Sequence, residues 1–358
     1  MSIRQQPLGT KLISETTKHN ATIAMMPFRN DIWRDNGLYA RRVVFDAVKK
    51  IANHEKVYLC VDIERQKADN IKLPNKENII ILPMKYDDIW ARDISPSFIS
   101  VGDSLKAVCW KFNAWNGIYT PFDNDAEFAK NILKYLSIEF TETDIVFEGG
   151  AMTYNGNGIA ITTESVLLNR NPTLTKIQIE EAFKNMLGVE KLIWLKRGLL
   201  NDETNGHVDN FITFVDEETL LLSWTDDANN PQYEILYEAE MCIKKESSLK
   251  GNPFSIKKIP LPEAMYITET EASGLKTIKD SKPRIAGDVL LATYNNAYVF
   301  NEGVILPIYE SEYDDVAIKI YKELYPNRII YPILSKELLI GGGSFHCIFH
   351  EIPEVIDL

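Results

Sequence analysis

Short runs of β-branched and aromatic residues punctuate this chain, each bounded by charged or turn-forming positions. They fall at Lys56 to Ile63, Asn78 to Leu82, Ala107 to Phe112, Gly158 to Thr162, Lys191 to Leu195, Phe211 to Val215, Thr219 to Ser223, Val289 to Thr293 and Val299 to Leu306. Runs of this length and composition predict buried or half-buried strands. Between them the apolar spacing lengthens toward 3.6 residues. From Asn36 to His54, Leu38, Val43, Val44, Ala47, Val48 and Ile51 mark one face of a helix. Asp123 to Leu136, Thr175 to Leu187, Pro231 to Ser247 and Tyr313 to Leu324 read the same way, with Asp123 and Thr175 as expected N-caps. Strands and helices alternating to both ends predict an α/β fold rather than segregated layers. No low-complexity linker divides the chain, so residues 1–358 are expected to form one domain.

Composition narrows the partners. Of 358 residues, 45% are hydrophobic and 25% charged, ordinary globular values that exclude collagen-like and disordered readings. The 51 acids against 39 bases leave a net charge of −12, which argues against a partner held by nucleic-acid phosphates and accords with a cationic ligand. No apolar run reaches the ~18 residues of a membrane span, and residues 1–20 carry no apolar signal core. A cytoplasmic protein with reduced thiols is expected. Cys60, Cys109, Cys242 and Cys347 lie far apart, without the close spacing of a zinc cluster or the density of a disulfide framework.

Four segments could carry chemistry. Gly341-Gly342-Gly343-Ser344-Phe345-His346-Cys347 places a thiol at the end of a glycine loop able to approach a ligand closely. Cys347 is either a nucleophile, which needs a lowered pKa or a nearby base, or an inert buried thiol. In Asn205-Gly206-His207-Val208-Asp209-Asn210, an extended backbone would turn His207 and Asp209 to one face, suiting acid/base work or a cation site; a structural histidine is the plainer alternative. Asp87-Asp88-Ile89-Trp90-Ala91-Arg92-Asp93 is either a solvated acidic loop or a cation site, with the Trp90 π-face and the Asp93 carboxylate gripping a guanidinium fork. Phe147-Glu148-Gly149-Gly150 offers a carboxylate at a strand end, or only a turn. No histidine pair at metal-ligand spacing occurs, so no metal is expected. Three acids around one thiol would repel a developing oxyanion. They suit a planar cation with several N–H donors.

These segments, with RNDIWRDNG (29–37), FNAW (112–115), ITTESVLLNRNP (161–172) and KPRIAGD (282–288), resemble the agmatine deiminase family of the guanidine-modifying pentein superfamily, related to bacterial peptidylarginine deiminases. The likeness runs from about Met26 onward. It implies a five-bladed α/β propeller with pseudo-fivefold arrangement and a single catalytic deiminase domain over 1–358. It further implies hydrolysis of a guanidino substrate, most plausibly agmatine to N-carbamoylputrescine and ammonia, through a covalent amidino-cysteine and without cofactor. Carried over by position, Cys347 is the expected nucleophile, His207 the acid/base, Asp93 and Asp209 the guanidinium-binding carboxylates, and Glu148 their support. Trp90, Glu203 and Trp115 are expected against the substrate, with Glu203 at its distal polar end; Trp33 is expected as wall or core. Arg92 and His346 are expected to be structural, His346 pointing away from the nucleophile on an extended segment. The resemblance also implies a homodimer. Other guanidines (arginine, peptidyl-arginine, methylarginine), amidino transfer to an amine, hydrolysis of neutral amides and a silent guanidine- or polyamine-binding protein stand as alternatives. No arginine or lysine able to hold an α-carboxylate is identifiable, which favours a decarboxylated substrate. The chain departs from the family pattern at its N-terminal signature, at Ser344-Phe345 and at Phe349-His350-Glu351.

Overall fold

A computed structural model describes residues 9–66 and 76–354. Most of its described strands follow one repeated plan: an antiparallel pair, a helical crossover, and a third strand parallel to the second. Ser97–Val101 and Ser104–Lys111 pair antiparallel, and Glu139–Val146 returns parallel after helix Asp123–Leu136. Met152–Tyr154, Ile159–Thr163 and Lys191–Leu195 repeat this around helix Lys176–Leu187. Ile212–Phe214, Thr219–Trp224 and Ser255–Pro260 do so around Tyr233–Ile243. Tyr298–Phe300, Gly303–Ile308 and Ile329–Leu334 do so around Asp314–Leu324. The fifth copy joins the chain's ends: Phe349–Pro353 pairs antiparallel with His19–Met25, and Lys56–Val61 returns parallel after helix Leu38–Ile51. Five such units occur among the described residues, and the α/β class is as expected. No described helix is long and apolar enough to cross a membrane.

Local chemistry accounts for the elements. Helix Leu38–Ile51 buries Val44, Ala47, Val48 and Ile51 against the core while Leu38 stays exposed. Thr175 caps its helix as expected: its hydroxyl accepts from the Gln178 backbone, the Gln178 side chain accepts from the Thr175 N–H, and Gly188 closes the far end at φ 72°. Asp123, by contrast, lies inside the first turn, and Phe122 is the N-cap.

Other expectations change. Val299 to Leu306 is a hairpin rather than one strand, because Glu302 turns the chain at φ 61° between Tyr298–Phe300 and Gly303–Ile308. Val289 to Thr293 is strand only at Val289–Leu290. Ser97–Val101, Glu139–Val146, Ser255–Pro260, Ile329–Leu334 and Phe349–Pro353 were not legible as strands. Glu139–Val146 shows why: EFTETDIV carries four polar residues in a row, Thr141 to Asp144, so neither an apolar run nor an alternating face marks it as a strand. The Thr175 cap is the testable element here. Thr175→Ala should cost about 1 kcal/mol by denaturant unfolding, while Thr175→Ser should cost almost nothing; equal losses would refute the cap.

Candidate active site

The connections between units converge on one recess of about 550 Å³, including its open mouth. Trp90, Asp93, Trp115, Glu203, His207 and Cys347 line it. The Asp87 to Asp93 segment is no solvated loop: Asp87, Asp88, Arg92 and Asp93 are all buried. The Asp125 carboxylate accepts from the backbone N–H of Asp87 and Asp88. Asp88 then accepts from the indole N–H of both Trp33 (2.8 Å) and Trp90 (2.9 Å), fixing the two rings side by side. One short helical turn, Ala91–Ile94, turns Asp93 inward. Its Oδ1 accepts from Gly150 N and its Oδ2 from Trp115 Nε1, each at 2.9 Å. Trp115 therefore anchors a carboxylate as well as lining the recess. A carboxylate has about four acceptor positions, so Asp93 keeps capacity for a ligand.

Three glycines of the two motifs have a steric reason. A Cβ on Gly150 would stand 2.6 Å from His207 Nδ1, 2.8 Å from Asp209 Oδ2 and 3.0 Å from Asp93 Oδ1. A side chain at Gly341 would overlap the Trp33 ring, and one at Gly343 would stand 2.7 Å from Trp90 and 2.9 Å from Cys347 Sγ. Gly342, at φ 112°, occupies left-handed backbone.

His207 and Asp209 do not lie on a strand. Val208–Asn210 forms a 3-10 turn, and Asp202 holds it by accepting from His207 N (2.8 Å) and Asn210 Nδ2 (3.0 Å). The two side chains still meet, because a tight turn can bring residues two apart to one side. His207 Nδ1 lies 3.8 Å from Asp93 Oδ2, and its Nε2 lies 3.5 Å from Glu148 Oε2, close but short of a hydrogen bond. Glu148 Oε1 accepts from Arg170 Nε at 2.7 Å. Asp209 and Glu148 stand behind the recess wall, Asp209 Oδ2 3.9 Å from Cys347 Sγ.

Burial and charge set the protonation states. Burial alone would lower the His207 pKa, but Asp93, Glu148 and Asp209 outweigh it and raise it to about 9. Burial raises the Asp93 carboxyl to about 6, with His207 opposing and Asp209 and Glu148 reinforcing. Burial would raise Glu148 too, yet His207 and Arg170 hold it below the ordinary range. The Cys347 thiol is pushed well up by burial and then by Asp209 and Asp93; hydrogen bonding to Ser344 and Asn296 opposes this.

Asn296 was not singled out from the sequence. It is buried, and its Nδ2 donates toward Cys347 Sγ at 3.2 Å and to Asn210 Oδ1 at 3.1 Å. The signal was there: Asn295-Asn296 sits between apolar strand segments, where paired amides need buried partners.

Glu203 lines the recess as expected, but not alone. Arg284 grips it with two hydrogen bonds of 2.8 and 2.9 Å, and Lys282 adds one of 3.0 Å. No arginine or lysine for an α-carboxylate was identifiable in the sequence, and the structure brings Arg284 and Lys282 into the recess lining; sequence distance concealed the loop that carries both. The extended segment expected at His346 is a helical turn, Phe345–Ile348. Arg92 is structural as expected, paired with Glu351 and Glu15. The departures from the family pattern do not line the recess. Ser344 bonds Ser335, Phe345 stacks on Phe349, and His350 stacks on Phe98.

The fold and recess together place a buried cysteine and an imidazole among carboxylates in a mixed α/β frame. Residues 11–353 match the Porphyromonas-type peptidyl-arginine deiminase family, and the chain belongs to it. A provisionally named agmatine deiminase of Mycoplasma mycoides is 38% identical over 96% of both chains. The solved agmatine deiminase of Enterococcus faecalis, described as catalyzing its reaction, superposes with a TM-score of 0.92 at 31% identity over 97% of each chain. A variant of C. jejuni agmatine deiminase with substrate bound superposes at 0.79 and 26% identity over 96% of each.

Two outcomes are expected. Gly150→Ala should lower kcat/KM at least tenfold while costing less than about 3 kcal/mol of stability; an unchanged kcat/KM would mean that the three side chains need no such closeness. His207 and His346 both have folded pKa values near 9, above the ordinary 6.5. Their contribution to stability is complete below about pH 6.5 and is lost as pH rises through about 9. Denaturant unfolding should show a lower midpoint at pH 9.5 than at pH 6.5, and a flat profile would contradict the assignment.

Proposed function

We propose that this chain hydrolyses agmatine to N-carbamoylputrescine and ammonia. The observation that carries the reading is that Cys347, His207 and Asp93 line one recess while the Asp209 and Glu148 carboxylates stand directly behind its wall. The agmatine deiminases that superpose on the whole chain support the choice of substrate. Because the site draws residues from Trp90 through Cys347, residues 1–358 act as one catalytic domain.

The charges suggest the order of events. A guanidinium docked against Asp93 and Asp209 offsets two acids that keep Cys347 protonated. Cys347 then releases its proton to solvent, where the departing ammonia is later taken up as ammonium, and the thiolate Sγ adds to the guanidinium carbon. His207, an imidazolium at neutral pH, gives its proton to one nitrogen of the tetrahedral adduct, and ammonia leaves. An amidino group remains on Cys347. Neutral His207 takes a proton from water, whose oxygen adds to the same carbon. Collapse expels the Cys347 thiolate and forms the carbonyl of the product, and a proton returns to the sulfur. Trp90 supplies a π-face for the cation.

At the other end, Glu203 is the acceptor for the distal ammonium. Its carboxylate already faces Arg284 and Lys282, an arrangement that also favours a second reading, a guanidino acid held by the two cations. Ammonia release from agmatine, arginine, methylarginine and a peptidyl-arginine substrate decides between them, with agmatine expected to give the highest kcat/KM. Cys347→Ala should abolish release and leave the fold intact; retained turnover would remove the nucleophile. In slow His207→Ala protein mixed with agmatine, mass spectrometry should find an amidino adduct on Cys347. The same adduct on Cys60, Cys109 or Cys242 would refute the assignment. Glu203→Gln should raise KM for agmatine roughly tenfold, the loss of one charge-assisted hydrogen bond, and leave KM for butylguanidine unchanged.

A further inference from the structure

His346 is buried and lies outside the chemistry described above, yet it is bonded to it. Its Nδ1 lies 2.8 Å from Asp209 Oδ2, and its Nε2 lies 2.8 Å from Glu15 Oε2. A carboxylate can only accept from these nitrogens unless it is itself protonated, so an imidazole between two carboxylates carries a proton on each. Asp209 Oδ2 has this bond, while Asp209 Oδ1 is buried without a hydrogen-bond partner among the described residues. One oxygen is thus tied down, and the other keeps its acceptor capacity unused.

The second anchor comes from the far end of the chain. Glu15 belongs to the N-terminal segment where the sequence departs from the family signature. Besides His346, it accepts from Arg92 Nη1 at 3.2 Å, and Arg92 also grips Glu351 at 2.8 Å. His346 itself is seated by its backbone: its N–H donates to Asn296 O at 3.1 Å, and its carbonyl accepts from Arg92 Nε at 3.4 Å. The ring has little room to turn, so the direction of Asp209 is inherited from Glu15 and Arg92.

We propose that His346, clamped by Glu15, is a positioning residue for substrate binding: it orients Asp209 so that Oδ1 meets the guanidinium. The inference rests on the reading of Asp209 as a guanidinium-binding carboxylate. Burial would lower the His346 pKa and Arg92 adds to that, but Glu15 and Asp209 outweigh both and bring it to about 9, so the clamp persists at neutral pH. A purely structural His346 would matter for folding, while a positioning His346 matters for KM through its Nδ1 side in particular.

Two substitutions separate the sides of the ring. In His346→Asn the amide N–H₂ stands near the place of Nδ1 and can still donate to Asp209. In His346→Gln the amide reaches toward the place of Nε2 and Glu15, and Asp209 loses its donor. Steady-state ammonia release from agmatine should show KM raised at least tenfold in His346→Gln and within threefold of wild type in His346→Asn, with matched far-UV circular dichroism. Equal KM values in both variants, or a worse KM in His346→Asn, would overturn the positioning role. If neither variant folds, Glu15→Gln provides the test: it removes the outer clamp alone and should raise KM about threefold, and an unmoved KM overturns the proposal. Failure of the underlying reading looks different. Wild-type protein that releases no ammonia from any guanidine removes the proposed activity and the positioning role together, whereas an active wild type with unmoved variants removes only the latter.

Discussion

The structure is organised around several carboxylates held out of water within one small volume. Asp93, Asp209, Glu148 and Glu351 are buried, with Glu15 half-buried beside them, where an unpaired charge is costly. Each is compensated from a different part of the chain. Arg170 holds Glu148, Arg92 holds Glu351 and Glu15, and His346 bridges Glu15 and Asp209. His207 sits among Asp93, Asp209 and Glu148. With both imidazoles protonated, Arg92, Arg170, His207 and His346 face those acids, and one negative charge remains for an incoming guanidinium to balance.

That shortfall links binding to reactivity. The same acids that attract a cation keep the Cys347 thiol protonated while they lack one. A thiol in this state is a poor nucleophile toward passing electrophiles, and under the proposed reaction the incoming guanidinium is what relieves it. Burial thus sharpens both effects, because fewer solvent dipoles dilute them. The glycines serve the same end: Gly150 lets His207, Asp209 and Asp93 crowd together, and Gly343 lets Trp90 lie against Cys347.

Much of this site was legible as a set of residues before any of it was legible as a place. Cys347 after three glycines, and His207 beside Asp209, stand out because their residue types are rare in such patterns. Their local backbone was misjudged: the alternation argument for His207 and Asp209 assumed a strand, and a 3-10 turn does the same work. The contacts of His346 and Asn296 could not be read from the sequence for a different reason. Their importance lies in contacts with Asp209, Glu15 and Cys347, residues dozens to hundreds of positions away, and no local pattern records such contacts.

The sequence by itself determined the α/β alternation, the positions of most central strands and amphipathic helices, the acidic balance, and the chemical types gathered at the site, since these follow from local spacing and composition. Only the tertiary structure decided that the Asp87 to Asp93 acids are buried, that Arg284 and Lys282 converge on Glu203, and that Glu15 reaches His346. Phe349–Pro353 closes against His19–Met25 for the same reason. Pairing between distant segments depends on how every intervening unit packs, and that information is spread over the whole chain rather than held in any one stretch of it.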